Sequence, residues 1–337
     1  MRYLIKYEKL ILLNKNVLLA MLIVAAAVSL SSCSGDASEV SAESSSIAAQ
    51  GSSQDSSTVE YVYGIPMDVN AGVISENVAD IYMSPDVKSS RITQALYNQP
   101  VSMLQQEQGW AKVKAIDGGS GWMKLKFINS DVSSVYGRTY THKIIVTSRE
   151  KSIYSNPSGG ITQMNAPMGS EFLAFNSFGD AYEVFLPGNK TGWIKGSGII
   201  HIELGGMVPV TNADDFAATA LRLKGTSYLL NGMSEMGIDA PGLVYICARI
   251  NGIDLPRSIT GQLASGTEIK PEEAQAGDLL FSAGMGEGEG ETVSSVGICI
   301  GGGIYLYAGR KIGYVTLGDI NKDNEEGKIV AARRIFN

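Results

Sequence analysis

Cysteine and histidine are nearly missing from this sequence: 337 residues contain three cysteines (Cys33, Cys247, Cys299) and two histidines (His142, His201). So few thiols cannot build a disulfide framework, and so few soft ligands cannot close a zinc cluster; no metal and no cofactor are expected. Basic charge is also sparse, with 27 Lys and Arg against 34 Asp and Glu, a net charge of -7, and no dense Lys/Arg block. The footprint of a nucleic-acid backbone is therefore absent, and no nucleic-acid partner is expected. A long hydrophobic run is lacking too. The apolar stretch Val17–Leu30 has 14 residues, short of the roughly 20 that a membrane-spanning helix needs.

What is present at the start fits export. Lys6, Lys9 and Lys15 precede the apolar stretch, which ends in Leu30-Ser31-Ser32-Cys33. This resembles a bacterial lipobox, in which the cysteine is acylated and becomes the mature N-terminus. Residues 1–32 are then a lipoprotein signal peptide and Cys33 the lipid anchor. Residues 34–58 are serine-rich and almost free of bulky apolar side chains, so they cannot offset the entropy of ordering and read as a tether reaching about 28 Å. The lipobox serves cells with one membrane or two. The expected location is a bacterial membrane, facing the cell wall or periplasm.

Short strands broken by turns follow in residues 59–130: Val78–Tyr82, Pro100–Leu104, Trp110–Lys114 and Gly121–Met123, with a turn at Asp117-Gly118-Gly119. The order of these pieces resembles the bacterial SH3-like wall-targeting domain. A second pass appears in residues 138–204, with Ser152–Tyr154, Tyr182–Val184, a Pro187-Gly188-Asn189 turn and Gly192-Trp193-Ile194 in the place of Gly121-Trp122-Met123. The second pass reads as an internal duplication. Tyr82, Trp110, Trp122, Tyr154, Tyr182 and Trp193 could stack on sugars or peptides, but small barrels fill their interiors with such side chains, and most are expected in the core.

Residues 209–337 change texture. Thr211 with Asp214 has capping-box spacing before Phe216, Ala217, Ala220 and Leu221, and a second helix is predicted from Pro241 with Leu243, Val244, Ile246, Cys247 and Ile250 on one stripe. Strands are predicted at Leu279–Phe281, Val296–Ile300, Ile304–Ala308, Gly313–Leu317 and Ile329–Arg334. Helices before a sheet predict an α+β domain. The run Gly284–Glu291 (GMGEGEGE) has neither a P-loop Lys-Ser/Thr nor the Asp spacing of a calcium loop, and reads as an acidic connection between strands.

Gly225-Thr226-Ser227-Tyr228, Ile238-Asp239-Ala240-Pro241-Gly242-Leu243-Val244, Leu255-Pro256-Arg257-Ser258, Gln262, Ala276–Phe281 and Val296-Gly297-Ile298-Cys299-Ile300-Gly301 occur in that order. Their spacing resembles the NlpC family of cell-wall cysteine peptidases. The resemblance implies a papain-like α+β fold and, in active members, cleavage of the D-glutamyl-diamino acid bond of peptidoglycan stem peptides. The whole chain is thus expected to be multidomain: two small all-β SH3-like barrels, then an α+β papain-like domain.

The chemistry of that family needs a thiolate at a helix N-terminus and an imidazole oriented by a third polar group. The resemblance puts Ala240 at the nucleophile, Ser295 at the base and Tyr307 at the orienting position. A methyl group cannot attack a carbonyl, and residues 211–337 contain no histidine. Cys247 falls on the apolar stripe and Cys299 on an apolar strand, so both read as core. No catalytic residue is therefore assigned. Tyr228, Asp239, Arg257, Ser295 and Tyr307 remain as a candidate ligand groove, with helix capping and ion pairing as the other reading of Asp239 and Arg257. The expected function is a lipid-anchored pseudoenzyme binding stem peptides or an envelope protein. An endopeptidase with a non-standard nucleophile and a scaffold for an active wall hydrolase are the competing readings.

Overall fold

In a computed structural model, residues 59–284, 292–322, 324 and 326–336 are described. The signal segment, Cys33, the tether and most of the acidic run (285–291) lie outside the described residues. After a short pair of strands at Tyr61–Val62 and Ile65–Pro66, two seven-stranded antiparallel sheets follow in succession. The first is built from Ala71–Ile74, Val78–Tyr82, Arg91–Leu96, Pro100–Glu107, Trp110–Lys114, Ser120–Lys124 and Ile128–Asn129. The second uses His142–Val146, Glu150–Asn156, Gly159–Pro167, Glu171–Phe178, Ala181–Leu186, Lys190–Lys195 and Ile199–Glu203. In both, the spatial order is third, second, sixth, fifth, fourth, first, seventh. The duplication read from the sequence is therefore a duplication of topology. Each strand expected in these two sheets lies inside an observed one, and the pattern missed the strands at 71–74, 91–96, 128–129, 142–146, 159–167, 171–178 and 199–203.

The aromatic residues are a correction. The sheet interiors are mainly aliphatic, with Ile74, Ile81, Val101, Val113 and Met123 in the first and Ile144, Val146, Ile153, Val184 and Ile194 beside Phe172 in the second. Only Trp110 of the six named aromatics is buried; Tyr82, Trp122, Tyr154, Tyr182 and Trp193 are half-buried. Alternation along the strand explains this. A Cβ at Gly121 would stand 2.8 Å from Ile92 Cδ1 and 2.9 Å from Ile81 Cγ2, and one at Gly192 would stand 2.5 Å from Ile153 Cγ2. In these two Gly-Trp pairs the glycine is the inward residue, so the tryptophan points outward.

Among the described residues, the last part of the chain has three α-helices, α1 (Ala213–Leu221), α2 (Ala240–Ile250) and α3 (Ile259–Leu263). A six-stranded antiparallel sheet runs in the spatial order Thr267–Ile269, Lys328–Arg334, Leu279–Gly284, Thr292–Gly301, Ile304–Gly309, Tyr314–Asp319. The cap of α1 differs from expectation. Asn212, not Thr211, accepts the Asp215 amide, and Thr211 Oγ1 instead donates to Asn251 Oδ1 (2.6 Å), tying the start of α1 to the end of α2. Leu221 is exposed and Leu223 takes the buried place. In α2 the expected stripe is buried, and so are Tyr245 and Ala248, because this helix packs on Thr292–Gly301 and Ile304–Gly309 on one side and meets the second sheet on the other, where Ile246 presses on Gly169. The short α3, capped by Ser258, was not predicted.

All described residues fall within one compact unit. Its main core joins Leu96 of the first sheet and Ile145, Met168 and Ile202 of the second to Phe216, Leu243, Val244, Ile246, Val296 and Leu306. Polar ties reinforce this core. Arg149 donates to the carbonyls of Arg222 (3.2 Å) and Lys224 (3.1 Å) at the C-terminal end of α1, where a cation complements the helix dipole. Arg222 Nη1 returns a bond to Thr147 O at 2.8 Å.

Candidate functional site

The first turn of α2 is the centre of the candidate site. Asp239 caps the helix and is almost fully buried. Its Oδ1 accepts the Gly242 amide at 2.8 Å and Arg257 Nη2 at 2.8 Å, and its Oδ2 accepts the Asn231 amide at 2.9 Å. Burial pushes its carboxyl above the usual value, against the pull of Arg257 and the two amides. Arg257 Nη2 also reaches Gly232 O at 3.1 Å. Both Asp239 and Arg257 thus serve as cap and ion pair, an arrangement that holds the groove wall whatever else it contacts.

Ala240 is the first residue of α2 and is buried, with Pro241 behind it in the first turn. Fully buried Gln262 on α3 donates to Pro241 O (2.9 Å) and Pro256 O (2.8 Å), bracing that turn. Tyr228 is half-buried, packs against the same core as Ala240, and donates its amide to Gly313 O at 2.7 Å. Burial raises its phenol, with Asp239 and Arg257 among the charges acting on it. The structure therefore brings Tyr228, Asp239, Ala240 and Arg257 together.

Ser295 and Tyr307 sit on the sheet. Ser295 is buried opposite Ser282, and Tyr307 is buried opposite Gly297, one ladder step from Ser295 on the same side. Tyr307 stacks on Tyr305 (centroids 5.2 Å apart) and belongs to a second cluster with Leu280, Cys299 and Ile329, whereas Ala240 belongs to the helix-side core. Cys247 and Cys299 are free and fully buried. Burial pushes the thiol of each upward, which suppresses the thiolate that nucleophilic chemistry would need.

Gly242 is the tightest point of the site. A Cβ there would collide with Gly232 O and stand 2.8 Å from Asp239 Oδ1 and 3.1 Å from Arg257 Nη2. Gly242→Ala is expected to cost about 1–3 kcal/mol, read as a fall in the urea midpoint at unchanged slope.

Residues of the first sheet complete the site's wall, and the sequence reading missed them. Asn231 Nδ2 donates to Arg91 O at 2.7 Å, Arg91 Nη1 donates to Leu230 O at 3.1 Å, and the Met233 amide donates to Gln94 Oε1 at 2.8 Å. The loop Leu230–Met233 is thereby strung between Asp239 and the strand Arg91–Leu96. One local signal was available: Asn231-Gly232 is a turn dipeptide, and Asn231 adopts φ 59°. Nothing local pointed to Arg91 or Gln94.

Comparison with known proteins adds to this geometry. The model described as the NlpC/P60 family matches residues 225–334, and the model described as the bacterial SH3 domain matches residues 77–129. The chain is 26% identical over 264 residues to the gamma-D-glutamyl-L-lysine dipeptidyl-peptidase of Bacillus subtilis (strain 168), covering 72% of this chain and 81% of that protein. It is 38% identical over 100 residues to the bifunctional muramidase/DL-endopeptidase CwlT of the same organism, covering 28% of this chain and 30% of that one. A crystal structure of an NlpC/P60 family protein from Bacillus cereus ATCC 10987 superposes with a TM-score of 0.69 at 22% identity, over 79% of this chain and 100% of that one, and shares its fold.

Proposed function

Since this chain carries an NlpC/P60 domain at residues 225–334 behind a bacterial SH3 domain at 77–129, we propose that it is a lipid-anchored envelope protein whose NlpC/P60 domain binds peptidoglycan stem peptides without cutting them. The observation that carries this reading is Ala240 at the first position of α2, directly after the capping Asp239. In a cysteine peptidase that place holds the nucleophile, because the helix N-terminus favours a thiolate. A methyl group there leaves the helix end with nothing to donate to an acyl intermediate, and loss of a nucleophile costs on the order of 10⁶ in rate in the comparable serine enzyme.

Binding needs less than catalysis. Tyr228, half-buried beside the buried Asp239–Arg257 pair, offers an aromatic face and a hydroxyl to an extended peptide. Lipidation at Cys33 and the serine-rich tether would hold the folded unit within reach of the wall.

The test is mass spectrometry of soluble muropeptides released from purified sacculi by residues 57–337, the compact unit, together with co-pelleting of the protein. Co-pelleting without release is the expected result. Release of cleaved stem peptides would overturn the reading of Ala240, and failure to pellet would overturn the binding role.

A further inference from the structure

The turns that join the third strand to the fourth correspond in the two sheets: Tyr97–Gln99 in the first, Met168–Ser170 in the second. Their backbones are tied alike. The middle amide donates to the first strand of its sheet, Asn98 to Ile74 O and Gly169 to Val146 O, both at 2.9 Å. The third amide closes the turn, Gln99 onto Leu96 O at 3.1 Å and Ser170 onto Pro167 O at 3.0 Å. Both middle residues are left-handed, with φ 64° at Asn98 and 85° at Gly169. Glycine adopts this conformation without strain, and the second turn has no room for more, since a Cβ at Gly169 would collide with Ile246 of α2. The first turn carries an asparagine instead, 2% exposed.

The fold accounts for only half of that side chain. Asn98 Nδ2 donates to Glu171 O at 2.9 Å, and because a carbonyl can only accept, the amide cannot be turned round. Asn98 Oδ1 finds no hydrogen-bond partner among the described residues, a state that costs free energy for a buried acceptor. Its neighbour differs, since Gln99 Oε1 accepts the Leu96 amide at 2.9 Å. Asn98 lines a cavity of about 280 Å³ between this turn, the leading strand pair and the second sheet, and Tyr61, Tyr63, Tyr140 and Phe172 line it too. The charged residues of the lining, Lys143 and Glu171, are paired with each other at 2.6 Å. None of the residues assigned to the peptide groove lines this cavity.

We propose that this cavity binds a small neutral aromatic molecule with one N–H or O–H donor, of the indole or phenol kind, its donor on Asn98 Oδ1 and its ring among the tyrosines. Size limits the occupant: a volume of about 280 Å³ lies at the low end for ligand pockets and suits one or two fused rings, not a peptide. Charge limits it further, because Lys143 and Glu171 satisfy each other and a charged ligand would be buried without a counter-ion. An acyl chain could fill the space but would leave Asn98 Oδ1 unpaired. An aromatic ring gains packing against the tyrosine and phenylalanine rings that an alkane does not.

This goes beyond the peptide groove and is tested separately from it. Isothermal titration of the full chain compares indole with benzofuran, which keeps the fused rings and replaces the N–H by an oxygen. Indole is expected to bind about tenfold tighter, in line with the cost of leaving a buried acceptor unpaired. Asn98→Gly, the residue that the second turn carries, keeps the left-handed backbone and is expected to lose the preference for indole. Tyr61→Ala is expected to weaken both ligands by about threefold or more; the residue is 67% exposed, so this variant decides the matter should Asn98→Gly lose its circular dichroism signature. Sacculus pelleting is expected to be the same for all three chains. Equal affinity of the natural chain for the two ligands, a preference retained by folded Asn98→Gly, unchanged affinities in Tyr61→Ala, or no binding of indole would each overturn the proposal.

Discussion

Glu171→Gln is expected to lower the stability of the folded unit by about 3–5 kcal/mol, the usual cost of removing one partner from a buried ion cluster. For a unit of this size that is a fall in Tm on the order of 10 °C. Glu171 lies at the start of a strand of the second sheet, yet its carboxylate is held from three directions. Arg249 of α2 reaches it at 2.6 Å, Lys143 of the neighbouring strand reaches it at 2.6 Å, and the Tyr63 hydroxyl donates to it. Both cations also lie over the Tyr63 ring, at 4.5 Å for Lys143 and 5.0 Å for Arg249. Asn98 of the first sheet donates to the Glu171 carbonyl at 2.9 Å. One residue therefore joins the leading strand pair, both sheets and α2. Glutamine would preserve shape and leave Arg249 and Lys143 facing each other without an anion.

The pH dependence of this loss follows from the same contacts. Burial by itself would raise the Glu171 carboxyl, but Arg249, Lys143 and the hydrogen bonds outweigh it and hold the group below its ordinary value. A carboxyl depressed in the folded state contributes its stability above the unfolded value, near 4.5, and loses it as pH falls through the lower folded value. Chemical denaturation at a series of pH values checks this. The gap between the natural chain and Glu171→Gln should be full at neutral pH and close progressively below about pH 4.5. A gap that stays constant into acid would show that Glu171 acts by shape and not by charge.

The Glu171 junction also marks where sequence reading stops. Local patterns located half of the strands of the two sheets: those period-two strands, the Gly-Trp pairs and the Asp239 cap were legible because each is decided by residues within a few positions of one another. The burial of the aromatics was misjudged, since a Gly-Trp pair does not state which of its two residues faces inward until the crowding around Gly121 and Gly192 is seen. The α1 cap went to Asn212 because Thr211 is drawn to Asn251 across the helix pair. Glu171, Tyr63 and Arg249 are 78 or more positions apart in the chain, and no periodicity or motif couples such residues. The same holds for Arg91 and Gln94, which reach the Leu230–Met233 loop from a different sheet. Long-range polar ties are chosen by the tertiary fold and leave no trace in local spacing.

The largest change in activity is expected from Ala240→Cys combined with Ser295→His and Tyr307→His, with hydrolysis of a D-glutamyl-diamino acid stem peptide rising above that of the natural chain to an iodoacetamide-sensitive rate. Ala240→Cys alone is expected to stay silent. The reasoning rests on what already stands around the three positions. Asp239 fixes the start of α2, Gln262 braces its first turn, and Arg257 and Asn231 hold the facing loop, so a thiol at position 240 would sit at a braced helix N-terminus. That location lowers a thiol's pKa, but burial of Ala240 opposes it, and without an imidazole the thiolate fraction and the leaving-group proton are both lacking. Position 295 lies on the strand that α2 packs against, and position 307 faces Gly297 one ladder step away, where a second imidazole could orient the first. Replacing Tyr307 removes its stacking on Tyr305, so thermal melts accompany the assay. Hydrolysis by the triple variant would mean that the scaffold is intact and the three reacting groups suffice; a folded but silent triple variant would place the deficit in the groove itself.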